Sequence, residues 1–572
     1  MTGPGKQHQE GPRARALGWC LYALAGVLGL ACFHQYELLS GFGGISTDRG
    51  DGRFIAFTLE HTYQALRGLS AVASPPIFYP VTGTLGYSDV LLGVAPVYWL
   101  LRTAGVGLLP ACMWTVVVGN LLTYVAALGL LRRGLHLGRW AAVAGALLFA
   151  FNSAKLNQLN HPQLQPLYLL VALAWVLVFL YQQRATLTGR RSLAWLTLAG
   201  LLFSLQLYTS VYMGWFFAFQ CLLLGVVGSA WPAARAAARA WLRAHRASLA
   251  GAAALTTVTL IPFAWLYLSV VHHNGWRRFV DVEGMLPRAW SYLNMGPDNF
   301  VWGWLSERWP QFGQLPLPWE HRIGLGLVVS AFGLALLAAA WASLWRGRRR
   351  QPIPAWVGTL MGTRDDQQLA VLATASATVG LLYMATCRCM GLESPWWLVF
   401  QTVPGARSIR AVARFVLVAL LPTTCVMAAV LDNHIGNLRH RAGAAGRRWR
   451  AAALTWLVLL ALAEQLGRTH GFAMAEDWAR IEQLSRQLGP GCQVFYITAG
   501  DTVTRPLWEL QLDAMLVAAL TRVPTVNGYS GQIPPGWTLE DPHDLTYAAG
   551  VKRWLRSTGL NKRRVCRVAT DQ

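Results

Sequence analysis

The sequence predicts a mainly α, polytopic transmembrane helical bundle of about eleven spans with a small α/β domain at its C-terminal end. Three observations carry this. Of the 572 residues 54% are hydrophobic and 13% charged, which leaves too little polar surface to cover a soluble globule of this size. Apolar runs close to the ~20 residues needed to cross hydrocarbon recur between residues 16 and 466. The basic residues behind the formal charge of +23 sit in short clusters between those runs and form no continuous basic face. That pattern reads as membrane topology and not as nucleic-acid binding.

The first run, 16 to 33, follows Lys6, Arg13 and Arg15 as the apolar core of a signal peptide would. Further spans follow and no convincing cleavage site is present, so it reads as a retained helix. Further runs lie near 108 to 131, 140 to 154, 164 to 182, 193 to 208, 212 to 230, 249 to 271, 323 to 345, 368 to 387, 412 to 431 and 451 to 466. Lys and Arg concentrate on the cytoplasmic side. One orientation gathers the N-terminus, Arg132/Arg133/Arg139, Arg184/Arg190/Arg191, Arg235 to Arg246, Arg346 to Arg350 and Arg439 to Arg450 there. It makes the chain a multi-pass protein of the cytoplasmic (inner) membrane, with its N-terminus in the cytoplasm and its C-terminal domain outside. This requires that Val90 to Leu101, which is short and carries Pro96, is a juxtamembrane helix in the outer interface.

The expected organisation is a transmembrane unit over 1–466, with an outer loop at 34–109, and an extracytoplasmic α/β domain over 467–572. Outward-facing segments are then His34 to Leu109, Lys155 to Gln163, the Trp- and Pro-rich His272 to Arg322, Arg388 to Arg410, and the tail from Gly467. The tail predicts strands at Gln493 to Thr498, Pro524 to Asn527 and Arg564 to Ala569, with helices at Pro506 to Leu520 and Tyr547 to Arg556. Cys492 and Cys566 flank these strands, and an extracytoplasmic domain makes a disulfide between them possible.

Residues able to do chemistry cluster in those outer segments. The first reads Ser-Thr-Asp48-Arg49-Gly-Asp51-Gly-Arg53-Phe, followed by Glu60-His61. From Gly52 to Arg67 Ile55, Leu59, Tyr63 and Leu66 form one stripe, with Arg53, Glu60, Gln64 and Arg67 opposite, the pattern of an amphipathic interfacial helix. Asp51 at its start reads either as an N-cap or, with Asp48, as a general base or metal-facing carboxylate. Asp89 before the apolar stretch reads as a cap of the juxtamembrane helix or as part of a site. The turn Asn157 to Pro166 offers His161 and Gln165 beside several amides, a set that suits sugar hydroxyls and equally suits a helix-connecting turn. Arg407, Arg410 and Arg414 stand on the side that should be poor in positive charge. Arginine holds phosphate through a planar fork of donors, so they read as a holder of polyprenyl phosphate or as arginines reaching ordinary lipid phosphates.

The order of Gly50-Asp51-Gly52-Arg53-Phe54, Leu59-Glu60-His61, Phe78-Tyr79-Pro80, Tyr87-Ser88-Asp89, His161-Pro162-Gln163-Leu164, Pro404-Gly405 with Arg410 and Arg414, and Asn527-Gly528-Tyr529-Ser530-Gly531 resembles a group of bacterial multi-span proteins. That group is related to the GT-C class of membrane glycosyltransferases. The resemblance implies transfer of a sugar from a polyprenyl-phosphate donor to a glycan, lipid or protein acceptor at the outer face. It assigns the base or metal-partner role to Asp51, with Asp48 second. Arg53, Glu60, His61, Asp89, His161, Gln165, the three arginines, Asn527 and Tyr529 become substrate-binding candidates, and a divalent metal is possible. In the best-known members the paired acids are adjacent, whereas here Arg49 and Gly50 separate them.

Two other readings need the same arginines and spans or the same fold. One is a transporter or flippase of lipid-linked sugars, which places polar groups near the bilayer midplane and often carries inverted repeats. The other is a non-catalytic envelope assembly protein. The enzyme reading expects Asp51, His161 and Arg410 to open into one cavity bordered by Asn527 to Gly531, with Tyr529 and Trp537 available to sugar rings.

Overall fold

The computed structural model describes residues 12–348, 351–388, 394–440, 444–500 and 505–570. Among them nine helices are long and apolar enough to cross a membrane: Arg15–Phe33, Leu108–Gly134, Pro162–Gln182, Gly189–Thr209, Val211–Gly228, Arg246–Asn274, Leu327–Arg346, Asp366–Thr386 and Val412–Leu438. They coincide with nine of the expected runs. The run at 140 to 154 forms a shorter helix, Arg139–Ala150. It returns the chain from the end of one long helix to the start of the next, packed against both Leu108–Gly129 and Val416–His440. The run at 451 to 466 forms the second half of Ala444–Ala463, a helix that opens with Arg447, Arg448 and Arg450.

Tracing these helices end over end separates two faces. The arginine-bearing loops at 132–139, 184–191, 235–246 and 346–348 lie at one end. The loops at 34–109, 151–161 and 275–326, the stretches 387–388 and 394–411, and the C-terminal unit lie at the other. Many long apolar side chains on the spans are exposed, Leu24, Val258, Ile261, Trp265 and Leu334 among them, as lipid-facing surfaces require.

The helix expected over Gly52 to Arg67 spans Asp51–Leu66, and here the structure corrects the interfacial expectation. Its polar stripe does not face water: Arg53, Glu60, His61 and Gln64 are buried along with the apolar stripe. The helix is wedged between Ala95–Thr103 and Leu108–Gly129 on one side and Leu507–Thr521 of the C-terminal unit on the other. Each of these four side chains has a hydrogen-bond partner inside the protein, as burial demands, although Nε and Nη1 of Arg53 are left without one. Ala95–Thr103, the expected juxtamembrane helix, packs on this helix rather than spanning.

The C-terminal unit pairs Val494–Ala499 with Val565–Thr570 in parallel, with a single bridge from Phe495 to Thr525 where a short strand was expected. Helices Leu507–Thr521 and Tyr547–Ser557 fall where the pattern put them. Cys492 and Cys566 are joined in a disulfide. A further helix, Met474–Ser485, and a two-residue strand, Phe472–Ala473, which pairs antiparallel with Gly44–Ile45, attach the unit to the first loop. One apolar core, with Ile45, Phe57, Phe78, Tyr98, Met515 and Val568 among its members, runs through both. The first loop and the tail thus share a hydrophobic interior although more than 350 residues lie between them.

Candidate active site

A cavity of about 1120 Å³ lies where the loops of that end meet. Each of them supplies side chains: Asp48, Asp51 and Asp89 from the first, His161 from the second, Arg277 and Glu320 from the third, Arg407 and Arg410 from the fourth, and Trp508 and Tyr529 from the tail. Arg414, on the single 3-10 turn that leads into Val416–His440, lines it as well. Asp51, His161 and Arg410 therefore do open into one space, bordered by Tyr529, Ser530 and Gly531.

Asp51 is the first residue of its helix, and the N-cap position belongs to Gly50. Its carboxylate is turned sideways into the cavity. Oδ2 lies 2.5 Å from His161 Nδ1, and Oδ1 accepts the Tyr529 hydroxyl at 3.0 Å. On the other side of the imidazole, Arg414 reaches Nε2 at 2.8 Å. Nε2 also lies 3.4 Å from Glu320 Oε1, so the ring faces Asp51 through Nδ1 and the Arg414–Glu320 pair through Nε2. Arg414 is held in turn by Glu320, through Nε at 3.3 Å and NH2 at 2.6 Å. Burial pushes the Asp51 carboxyl up, but the His161 hydrogen bond, the charges of His161 and Arg414, and Tyr529 outweigh it, so Asp51 is held below the ordinary carboxylate range. Glu320 is also held low, burial being overcome by Arg414 and His161. Burial and Arg414 pull His161 down, yet the two carboxylates prevail and raise it.

Asp48 behaves differently. Its Oδ1 takes the first-turn Gly52 N–H at 3.4 Å, the capping role that the bland reading gave to Asp51. Burial and the neighbouring charge of Asp51 raise its proton affinity. The two acids are thus pushed in opposite directions, the arrangement that separates a proton acceptor from a fixed charge. Asp89 caps a helix, though not the expected one: its carboxylate accepts from Val211 N at 2.9 Å and Ser210 Oγ at 3.3 Å, at the start of Val211–Gly228. Burial lifts it to about 6.

Arg277, Arg407 and Arg410 line the same cavity. Arg277 donates to the Gly531 carbonyl at 3.3 Å, and Arg407 to Gln401 Oε1 at 2.7 Å. Arg410 is exposed, its backbone N–H held by the Tyr212 hydroxyl at 3.1 Å. Among the described residues none of the three guanidinium groups is paired with a carboxylate. Burial and the charge of Arg410 lower Arg277, against the opposing pull of Tyr212 and Asp281. Like charges held near each other in a cavity attract an anion.

The structure turns five expected site residues away from this space. Arg53 is fully buried and bonded to Asp513, which Arg480 and Arg505 also hold. Glu60 accepts from Arg102 at 2.7 Å and from the Tyr98 hydroxyl at 2.8 Å. His61 bonds the Val72 carbonyl at 3.0 Å. Gln165 donates to the Gln158 carbonyl at 2.7 Å and so shapes the loop that carries His161. Asn527 is buried between Ile497, Gln511 and Tyr547. Trp537, expected beside sugars, packs edge-on against Phe78 and donates to the Val526 carbonyl. Only Arg53 finds its partner across the seam between the first loop and the C-terminal unit; the others are bonded within their own loop or within the tail. Sequence reasoning missed Glu320, Arg277 and Trp508. Nothing local marked Glu320, since Asp281, Glu283, Asp298 and Glu307 stand in the same segment.

As arranged, these residues make a poor metal site. Among the described residues no three His, Cys, Asp or Glu side chains gather as ligands for one ion. Asp51 and His161 already spend their facing atoms on each other, and the Arg414 guanidinium occupies the far side of the imidazole. No step below passes through a metal.

No protein-family model and no curated protein matches the chain. Among solved structures it is similar to the Archaeoglobus fulgidus oligosaccharyltransferase, in a complex with Zn and sulfate, at 14% identity and a TM-score of 0.48. That match covers 89% of this chain and 62% of the other. It is also similar to the arabinofuranosyltransferase AftD from Mycobacteria, at 15% identity and a TM-score of 0.49, covering 89% of this chain and 32% of the other. The chain thus spans less than two thirds of the length of either.

Proposed function

We propose that this chain is a GT-C membrane glycosyltransferase that moves a sugar from a polyprenyl-phosphate donor to an acceptor at the outer face of the cytoplasmic membrane. The observation that carries this reading is the meeting, in one cavity, of two oppositely tuned carboxylates with Arg277, Arg407 and Arg410, none of which is ion-paired with a carboxylate among the described residues. The order of the sequence motifs supports it.

In this mechanism Arg277, Arg407 and Arg410 hold the donor phosphate. The bond from the anomeric carbon to the phosphate oxygen breaks, and its electron pair leaves with the phosphate, where the arginines meet the growing negative charge. The acceptor hydroxyl oxygen bonds to the anomeric carbon, and its proton passes to Asp48, whose affinity burial and Asp51 have raised. Asp51, pinned by His161 and Tyr529, stays ionised and faces the positive charge that develops on the sugar.

Two features favour the outer face. Thiols in the cytoplasm are kept reduced, whereas the C-terminal unit carries the Cys492–Cys566 disulfide. The arginine-bearing loops gather at the far end of the bundle, the cytoplasmic end by the positive-inside rule. The flippase reading is less favoured because the charged groups collect at one end of the helices and not at mid-depth. The test is mass spectrometry of lipid-linked sugars and envelope glycans in a deletion strain. One glycan should disappear while its lipid-linked donor accumulates, and wild type but not Asp51→Asn should restore it. A strain with unchanged glycans and lipid-linked sugars would sink the reading.

A further inference from the structure

The cavity has two walls of different character. Towards the bundle it is lined by Leu207, Phe219, Leu222 and Phe263 from the spans; towards the C-terminal unit it is lined by Trp508, beside Asp48 and Gly50. Trp508 is the second residue of Leu507–Thr521 and is half-buried. Its six-membered ring lies 3.5 Å from where a side chain on Gly50 would begin, and Asp48 Oδ1 lies 3.4 Å from the same point. The indole and the proton-accepting carboxylate are therefore next to each other, with only a glycine between them. The indole N–H bonds no described residue and is not closed off from solvent.

A tryptophan in a cavity usually satisfies its N–H while its ring packs against an apolar surface. Here the side chain packs against the shared core and lines the cavity, with its N–H open to an occupant or to water. The occupant that completes both needs is a flat ring with apolar C–H groups on its face and oxygen acceptors on its rim. A sugar has that form, and its hydroxyls can donate to Asp48 while they accept from the indole. An extended peptide offers acceptors in its backbone but no such face.

We infer that Trp508 is the platform for the acceptor and that the acceptor is a carbohydrate. This rests on the glycosyltransferase reading and deepens it. A ring stacked on Trp508 presents a hydroxyl to Asp48, with the donor phosphate across the cavity on the arginines. Substrates then approach from two sides, the lipid from the spans and the glycan from the C-terminal unit.

The test uses the full chain in nanodiscs and saturation-transfer NMR. The probes are methyl glycosides of common hexoses and pentoses, and oligosaccharides cut from the producing cell's envelope polysaccharide. Undecaprenyl phosphate binding is followed in parallel. At least one sugar should bind, about tenfold more weakly to Trp508→Ala, the loss of one aromatic contact. Trp508→Phe, which keeps a flat face, should stay within about threefold of wild type. Lipid-phosphate binding should be equal in all three, which also shows that they are folded. Sugar binding unchanged in Trp508→Ala, no sugar bound by wild type, or Trp508-dependent capture of an unglycosylated peptide would each overturn the inference. Loss of lipid-phosphate binding in wild type would instead overturn the donor reading and leave the sugar result standing.

Discussion

Asp51→Asn removes one charge and almost nothing else, which makes it the sharpest test of the site. The replacement can keep both hydrogen bonds of the carboxylate. Its Oδ1 can accept from His161 Nδ1–H, where Oδ2 now lies at 2.5 Å, and its Nδ2 can donate to the Tyr529 oxygen, now at 3.0 Å. The imidazole keeps its place as well, because Arg414 at 2.8 Å and Glu320 at 3.4 Å still face Nε2. The stability cost is then only the difference between charge-assisted and neutral bonds, about 1 to 2 kcal/mol for the pair. The chemical cost is larger: the fixed negative charge facing the reacting sugar is gone, and Asp48 loses the neighbour that raises its proton affinity. A fall of about 10²- to 10⁴-fold in turnover is expected, with donor binding and the melting profile close to wild type. The assay is transfer of sugar in membranes of the complemented deletion strain, with thermal unfolding in detergent as the control. Undiminished turnover in a folded variant would refute the assignment.

Arg410→Ala should weaken binding of polyprenyl phosphate to reconstituted protein about tenfold, in a salt-sensitive manner, with no change in melting because the side chain holds no carboxylate; an unaffected affinity would move the phosphate site elsewhere. Glu60→Ala should do the reverse. It strands Arg102 beside the buried end of the helix and costs about 3 kcal/mol, seen as a lowered unfolding temperature, while turnover per folded molecule stays at wild type; selective loss of turnover would return Glu60 to the site. Asp89 gives a pH signature. Its carboxyl is raised from 3.8 to about 6 by burial, so the folded state binds this proton more tightly than the unfolded state. Its contribution to stability is therefore present below pH 4 and falls as pH rises towards 6. Asp89→Asn keeps the acceptor for Val211 N–H and should flatten that slope; a slope that persists would assign it to another group.

Much of the architecture was legible because lipid imposes a strict code. A span must be apolar for about 20 residues, and nine of the expected runs are helices that meet that demand. The grouping of five segments at one end of the bundle was legible too, since the arginine clusters divide the loops into two sets before any contact is known. Within them, Asp48, Asp51, His161, the three arginines and Tyr529 all reach the cavity. The error over Arg53, Glu60 and His61 comes from packing that no local pattern reveals. On an isolated amphipathic helix a polar stripe faces water, but here Arg53 meets Asp513 on Leu507–Thr521, Glu60 meets Tyr98 and Arg102 on Ala95–Thr103, and His61 meets the Val72 carbonyl.

From the order of its residues alone this chain could be read as a membrane bundle whose chemistry lies at one end, because hydrophobic length and the placement of arginine are local properties. The allocation of polar groups between structure and site came only with the tertiary fold. Glu320 joined Arg414 and His161, Arg53 joined Asp513, and Trp508 came to stand beside Asp48. Each of these unions depends on which buried charge finds which partner across hundreds of residues, and that is settled by packing rather than by sequence neighbourhood.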